Sequence, residues 1–307
     1  MKKLIKVFLT SVLLWVFLIG NTSGGAKGPI VVASKIDTEG ALLGQMIVAL
    51  LRNNGFEVID KTEFGPTPLV RKSIINGQID IYPEYTGNGG FFFRISASDI
   101  WKNAKSGYEK VKALDLQKNN IVWLQPAPAN NTWAMAIRGD LARSENIRTL
   151  EDFARYVNNG GEVKVAGSEE FVNRPDALPA FQKAYGFKLK KGQMLILSGG
   201  NTAQTEKAAA QNINGVNVAM AYGTDGALAA LGLHVMKDTK GVQPVYQPAP
   251  IIRKVVYDRY PEIATILAPV FKSLSLTVLQ DLNAKIALEG VEAKEVAETY
   301  LKEHHFL

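Results

Sequence analysis

Four places in this 307-residue chain set aromatic rings beside turn-forming residues, and rings so placed do one kind of chemistry well, holding a cation against their π faces. Tyr82 and Tyr85 stand in the segment Asp80 to Asn88, Trp133 follows Asn130-Asn131-Thr132, Tyr222 precedes Gly223-Thr224-Asp225-Gly226, and Tyr246 lies between Pro244 and Pro248. A cation that cannot donate hydrogen bonds suits such rings best, because π faces and oxygen dipoles are then its only good partners. Lys35 and Arg174 stand after a predicted strand and before a helix.

Other chemistries find less support. Asp80, Glu84, Asp99 and Asp225 lie near predicted loops, and paired carboxylates could serve a hydrolase. Glu84 beside Pro83, and Asp225 in a Thr-Asp-Gly turn, read better as turn and cap residues, with Glu84 alternatively a support behind the site and Tyr82 as strand packing. His234, His304 and His305 have no ligand spacing to a carboxylate cluster, so no metal is expected. Gly87 to Gly90 lack nucleotide-binding spacing, and Ser198-Gly199-Gly200-Asn201-Thr202 lacks the lysine of a P-loop, so no cofactor is expected and Thr202 reads as a helix cap. Taken singly, each tyrosine reads as a core residue with a wet hydroxyl, and Lys35 and Arg174 as solvated charges.

The elements that must position these residues alternate between short apolar strands and amphipathic helices, which is α/β architecture. A strand over Ile30 to Ala33 leads to a helix from about Thr38 to Asn53, a strand Glu57 to Asp60, a helix from Pro68 closed by Gly77, and a short strand Ile79 to Tyr82. In open α/β sheets ligands sit beyond the carboxyl ends of strands. A long helical stretch Ser96 to Leu116 and a strand Ile121 to Leu124 precede the break Pro126-Ala127-Pro128. A second α/β block runs from Leu150 to Tyr222, a second proline-punctuated strand covers Val242 to Pro250, and the remainder is mostly helix. Two crossings between two α/β blocks predict a hinged protein: residues 27–130 with 246–307 form one lobe and 131–245 the other.

Residues 1–26 have the three-part layout of a secretory signal: Lys2, Lys3 and Lys6, the apolar run Val7 to Ile19, then small polar residues ending at Ala26. The apolar run is shorter than the ~20 residues a spanning helix needs. With no cysteine there is no disulfide and no thiol for a lipid anchor. This points to a freely soluble periplasmic protein. The formal charge of +6 falls to +3 without the three signal lysines, and no long basic run asks for nucleic acid.

The segments Ser34 to Gly40, Asp80 to Asn88, Asn130 to Trp133, Glu170 to Asp176 and Tyr222 to Gly226 occur in one order across essentially the whole mature chain. In these the chain resembles the osmoprotectant-binding proteins of ABC importers for glycine betaine, choline and related compounds, and within them the periplasmic glycine betaine-binding proteins of the enteric type. The resemblance implies a type II periplasmic-binding-protein fold, no enzymatic activity, and a monomer that delivers its ligand to a membrane permease with a cytoplasmic ATPase. It further implies an aromatic box of Tyr85, Trp133, Tyr222 and Tyr246, with an oxygen of Asn131 against the ligand methyls and Lys35, Asn88 and Arg174 on the ligand carboxylate. Lys35, Tyr85, Asn88 and Tyr246 would come from the first lobe, Trp133, Arg174 and Tyr222 from the second, and Asn131 from the hinge.

The chain departs from that pattern in Trp133, where tyrosine is common, and in Asn131, where aspartate is frequent. Asn88 stands where Thr or Ser is usual, so its contribution could be the backbone N–H. The neutral Asn131 implies weaker binding and a preference for zwitterions over choline. A protein of the same fold for another small solute, such as choline, carnitine or an amino acid, is the competing reading, since fold does not set the ligand. An amino-acid binder would need carboxylates to meet the ligand's ammonium N–H groups.

Overall fold

A computed structural model describes residues 27–307; the expected signal segment lies outside the described residues. Among the described residues ten strands are present: β1 (Lys27–Lys35), β2 (Phe56–Gly65), β3 (Ile81–Tyr85), β4 (Ile121–Trp123), β5 (Trp133–Arg138), β6 (Val165–Ser168), β7 (Met194–Leu197), β8 (Val218–Tyr222), β9 (Leu233–Val235) and β10 (Pro248–Arg253). They form two five-stranded sheets of order β2-β1-β3-β10-β4 and β7-β6-β8-β5-β9. With helices on these sheets the chain has a bilobal α/β fold of the type II periplasmic-binding-protein class.

The two sheets share one plan, although no sequence repeat relates them. In each, the first of the parallel strands lies between the second and the third: β1 pairs in parallel with β2 and β3, and β6 with β7 and β8. In each, the strand that has just crossed from the other sheet inserts antiparallel, β10 between β3 and β4, and β5 between β8 and β9. The crossings are tied to each other, since Asn131 N–H donates to the Tyr246 carbonyl (2.9 Å), Tyr246 N–H to Asn130 Oδ1 (2.8 Å) and Thr132 Oγ1 to the Pro244 carbonyl (3.1 Å).

Several elements match the periodicity closely. The helix Thr38–Asn53 is closed at its start by Asp37, whose carboxylate accepts from Gly40 N–H, and it buries Leu42, Leu43, Met46, Ile47, Leu50 and Leu51. The C-terminal helices Glu262–Ser273, Leu276–Glu289 and Ala293–Glu303 pack on the same core, bringing Leu267, Phe271, Leu279 and Leu301 against Ile30, Val32 and Leu42. Sheet two has its own core around Met135, Phe153, Val165, Phe171 and Phe181.

Five sequence readings are corrected. The strand read over Val242 to Pro250 starts only at Pro248 and runs to Arg253. The strand read as ending at Tyr82 begins at Ile81 and runs on through Pro83 and Glu84 to Tyr85, fully buried. Pro83 faces Pro250 across the antiparallel pair, a position where neither proline is asked for an N–H by the other. The stretch Ser96 to Leu116 is not one helix but a 3₁₀ turn Asp99–Lys102 and a helix Ala104–Asn119, because Asn103 caps the latter by accepting from Ser106 N–H. Asn201, not Thr202, caps the helix Thr202–Ala210; the Thr202 hydroxyl donates to Asp225 instead. Strand β7 at the edge of sheet two was not anticipated, since a four-residue apolar run carries no period of its own.

Candidate functional site

The site lies between the sheets, at the carboxyl ends of parallel strands, where ligands of open α/β sheets collect. Lys35 ends β1, Tyr85 ends β3 and Tyr222 ends β8. Trp133 starts β5, and because β5 runs antiparallel this brings it opposite Tyr222. Arg174 follows the short helix Glu169–Asn173 at the end of β6, Asn88 opens the short helix after β3, and Asn131 and Tyr246 lie on the crossings. Gly87 makes room for this arrangement: a Cβ there would stand 2.8 Å from the Tyr246 ring and 2.9 Å from the Val245 carbonyl.

All eight residues singled out from the sequence, Lys35, Tyr85, Asn88, Asn131, Trp133, Arg174, Tyr222 and Tyr246, line one cavity. Trp133 is near-parallel to Tyr222 (centroids 6.4 Å apart, 20° between planes) and edge-on to Tyr246 (5.8 Å, 61°), and Phe171 backs it edge-on at 5.9 Å. Burial pushes the hydroxyls of Tyr85, Tyr222 and Tyr246 well above the ordinary range, so the rings are neutral faces at every physiological pH. Asn131 spends both Nδ2 hydrogens, on Glu39 Oε1 (3.0 Å) and Thr224 Oγ1 (2.6 Å). Its Oδ1 is thereby left as the side-chain atom free to act on an occupant.

The charged residues are not bare. Lys35 Nζ donates to Glu84 Oε1 at 2.6 Å and sits 4.4 Å from the centre of the Tyr85 ring. Glu84, read from the sequence as a turn residue or as a support behind the site, is a fully buried counter-ion and so takes the second of those roles. It also accepts from Tyr85 N–H (2.7 Å), Asn88 Nδ2 (2.7 Å) and the Tyr82 hydroxyl (2.8 Å). Burial alone would raise its pKa, but the Lys35 ammonium and these donors bring it below the usual carboxylate value. Asn88 uses its side chain between Glu84 and Arg174 (Oδ1 to Nη1, 2.8 Å), so what it can offer an occupant is the backbone N–H. Arg174 lies 4.5 Å over Trp133 and 4.3 Å over Phe91, and binds Asp176 with both arms of its fork (2.8 and 2.9 Å).

Three acidic residues that the sequence reading assigned no role complete the site. Glu39 is buried in the first turn of its helix and accepts from the Tyr85 hydroxyl (2.9 Å), Asn131 Nδ2 and Asn283 Nδ2 (3.0 Å), joining first lobe and hinge. Burial lifts its pKa to about 7 against the pull of those donors. Asp37 and Glu170 line the cavity itself. All three lie at or near helix N-termini, where acids are common for dipole reasons alone, so nothing local marked them.

A cleft between two α/β sheets joined by two crossings, floored by aromatic faces and rimmed by paired charges, is built to hold a small charged solute. The family profile for the substrate binding domain of ABC-type glycine betaine transport systems matches residues 28–303, and the chain belongs to that family. It is 56% identical to the glycine betaine-binding protein YehZ of Escherichia coli (strain K12) over 91% of both chains. It is 32% identical to a glycine-betaine-binding protein of Pseudomonas aeruginosa, over 90% of this chain and 88% of that one. The solved structure of apo YehZ superposes with a TM-score of 0.66 at 55% identity, over 91% of this chain and all of that one. The chain is therefore a transport-system substrate-binding protein in fold and kind.

Proposed function

We propose that this protein captures glycine betaine, or a closely related quaternary ammonium zwitterion, in the cavity between its lobes and presents it to an ABC permease. One observation carries the reading: the eight residues selected for that chemistry from the sequence meet around one cavity. The trimethylammonium head would rest against Tyr85, Trp133, Tyr222 and Tyr246 with Asn131 Oδ1 against its polarised methyls. Each face contributes about 0.5 to 2 kcal/mol depending on desolvation. The carboxylate would take the free donors of Lys35, which commits one of its three N–H groups to Glu84, and the backbone N–H of Asn88.

The lobes of the proposal are 27–130 with 246–307, and 131–245, and closing them completes the box. The role is capture without catalysis, by a monomer exported to the periplasm through residues 1–26 and free of a lipid anchor. A calorimetric panel of glycine betaine, choline, carnitine and proline tests the reading. Saturable binding of glycine betaine that is lost in Trp133→Ala supports it; a panel in which only proline binds would sink it.

A further inference from the structure

A guanidinium has five N–H groups, and every one of Arg174's is taken. Nε and one Nη2 hydrogen go to the two oxygens of Asp176 (2.8 and 2.9 Å), and the other Nη2 hydrogen goes to the Tyr246 hydroxyl (3.3 Å). The two on Nη1 go to Asn88 Oδ1 (2.8 Å) and Glu170 Oε1 (2.7 Å). The sequence reading gave this fork to the ligand's carboxylate, yet the protein already supplies it with two carboxylates of its own.

These partners are not equally fixed. Asp176 is bidentate with a side chain 6% exposed, whereas Glu170 holds Arg174 by one bond, is 16% exposed and lines the cavity directly. Asn88 and Tyr246 are neutral and buried. Glu170 is thus the one charged partner that can leave toward solvent and free an Arg174 donor facing the cavity. Around the cavity five carboxylates, Asp37, Glu39, Glu84, Glu170 and Asp176, stand against two cations, Lys35 and Arg174. A ligand that is only a cation enters that field without displacing anything. A zwitterion brings a further carboxylate, which must either rely on Lys35 alone or dislodge Glu170.

We propose that Glu170 is the specificity-determining residue of this site: an internal carboxylate that competes with a zwitterionic ligand's carboxylate for Arg174 Nη1 while favouring ligands that carry positive charge alone. The proposal rests on the quaternary-ammonium reading above and adds a direction to it. Removing the Glu170 charge relieves the competition and weakens the field that attracts a bare cation.

The test is calorimetric titration of glycine betaine and of choline into wild type, Glu170→Gln and Glu170→Ala, with thermal unfolding of each to verify folding. Glycine betaine is expected to bind at least ~10-fold more tightly to both variants, with choline unchanged or weaker, so that their ratio moves by more than a decade. The two variants differ in bulk and hydrogen bonding but share the lost charge, so agreement between them, or the result from whichever folds, reports the charge. Glycine betaine binding that is unchanged or weaker, or choline tightening by the same factor, overturns the proposal while leaving the ligand reading intact. Failure of wild type to bind either compound overturns both.

Discussion

Replacing Glu84 by glutamine tests the organisation of the site most directly, because the two side chains are nearly isosteric and only the charge goes. Glu84 is fully buried and takes four hydrogen bonds, from Lys35, Tyr85 N–H, Asn88 and Tyr82. A glutamine can keep the carbonyl side of that set, so the lost quantity is the counter-charge of Lys35, itself 5% exposed. Breaking a buried pair by removing one partner costs about 3–5 kcal/mol. The Tyr85 ring 4.4 Å from Lys35 Nζ offsets part of this, by about 0.5–2 kcal/mol. The net expectation is about 3 kcal/mol by urea unfolding, or roughly 10 °C in melting temperature for lobes of this size. The double variant Lys35→Met/Glu84→Gln removes both charges and should recover most of the loss. Glu84's pKa lies below its unfolded value, so its contribution is fully present above about pH 4.5 and disappears as pH falls through the folded value. The gap between wild type and Glu84→Gln should therefore close in acid. In the proposed binding mode the variant also leaves Lys35 seeking an anion, so saturating glycine betaine should raise its melting temperature more than that of wild type. A Glu84→Gln protein within 1 kcal/mol of wild type at pH 7, or a double variant no better than the single one, would refute the pairing argument.

Three further outcomes follow from the same geometry. Glu39 titrates near pH 7 when folded against 4.5 for the free group, so it lowers stability as pH rises from 4.5 to 7, by about 3 kcal/mol in all. Glu39→Gln should remove that slope, and a stability difference that stays constant between pH 4.5 and 8 would show that Glu39 ionises normally. Asn131→Asp would set a second carboxylate where an amide now donates to Glu39 at 3.0 Å; a loss of about 1–3 kcal/mol at pH 7 is expected, relieved in the Asn131→Asp/Glu39→Gln double variant. Of the described tryptophans, Trp101 and Trp123 belong to a core cluster of sheet one and Trp133 lines the cavity. A glycine betaine-induced change in intrinsic fluorescence should thus vanish in Trp133→Phe, and its persistence would remove Trp133 from the box.

Much of the framework was legible in the chain because it is local. The helix Thr38–Asn53 has the bounds its apolar spacing predicts, and the second α/β block ends with strand β8 at Tyr222 as read, since amphipathic period and caps act within a few residues. The site residues were legible for a different reason: their segments match a family pattern, and they stand at strand ends and crossings, where α/β sheets place ligands. Strand β3 misled because Pro83 is a stop signal locally, and only the continuous pairing with β10, where it faces Pro250, carries the strand through it.

What the sequence by itself determined is therefore the order of elements, the two crossings and the set of aromatic, amide and basic residues brought to one cavity. Only the tertiary structure decided how the charges are shared. Glu84 and Lys35 are 49 residues apart and Glu39 and Asn283 are 244 apart. Coulombic and hydrogen-bond partners are chosen through space in a desolvated interior, where each buried charge must find its counterpart wherever the fold puts one. That is why the sequence left Glu84 open between a turn and a support for the site, why Glu39 and Glu170 had no visible role, and why Arg174 turns out to have its fork already filled.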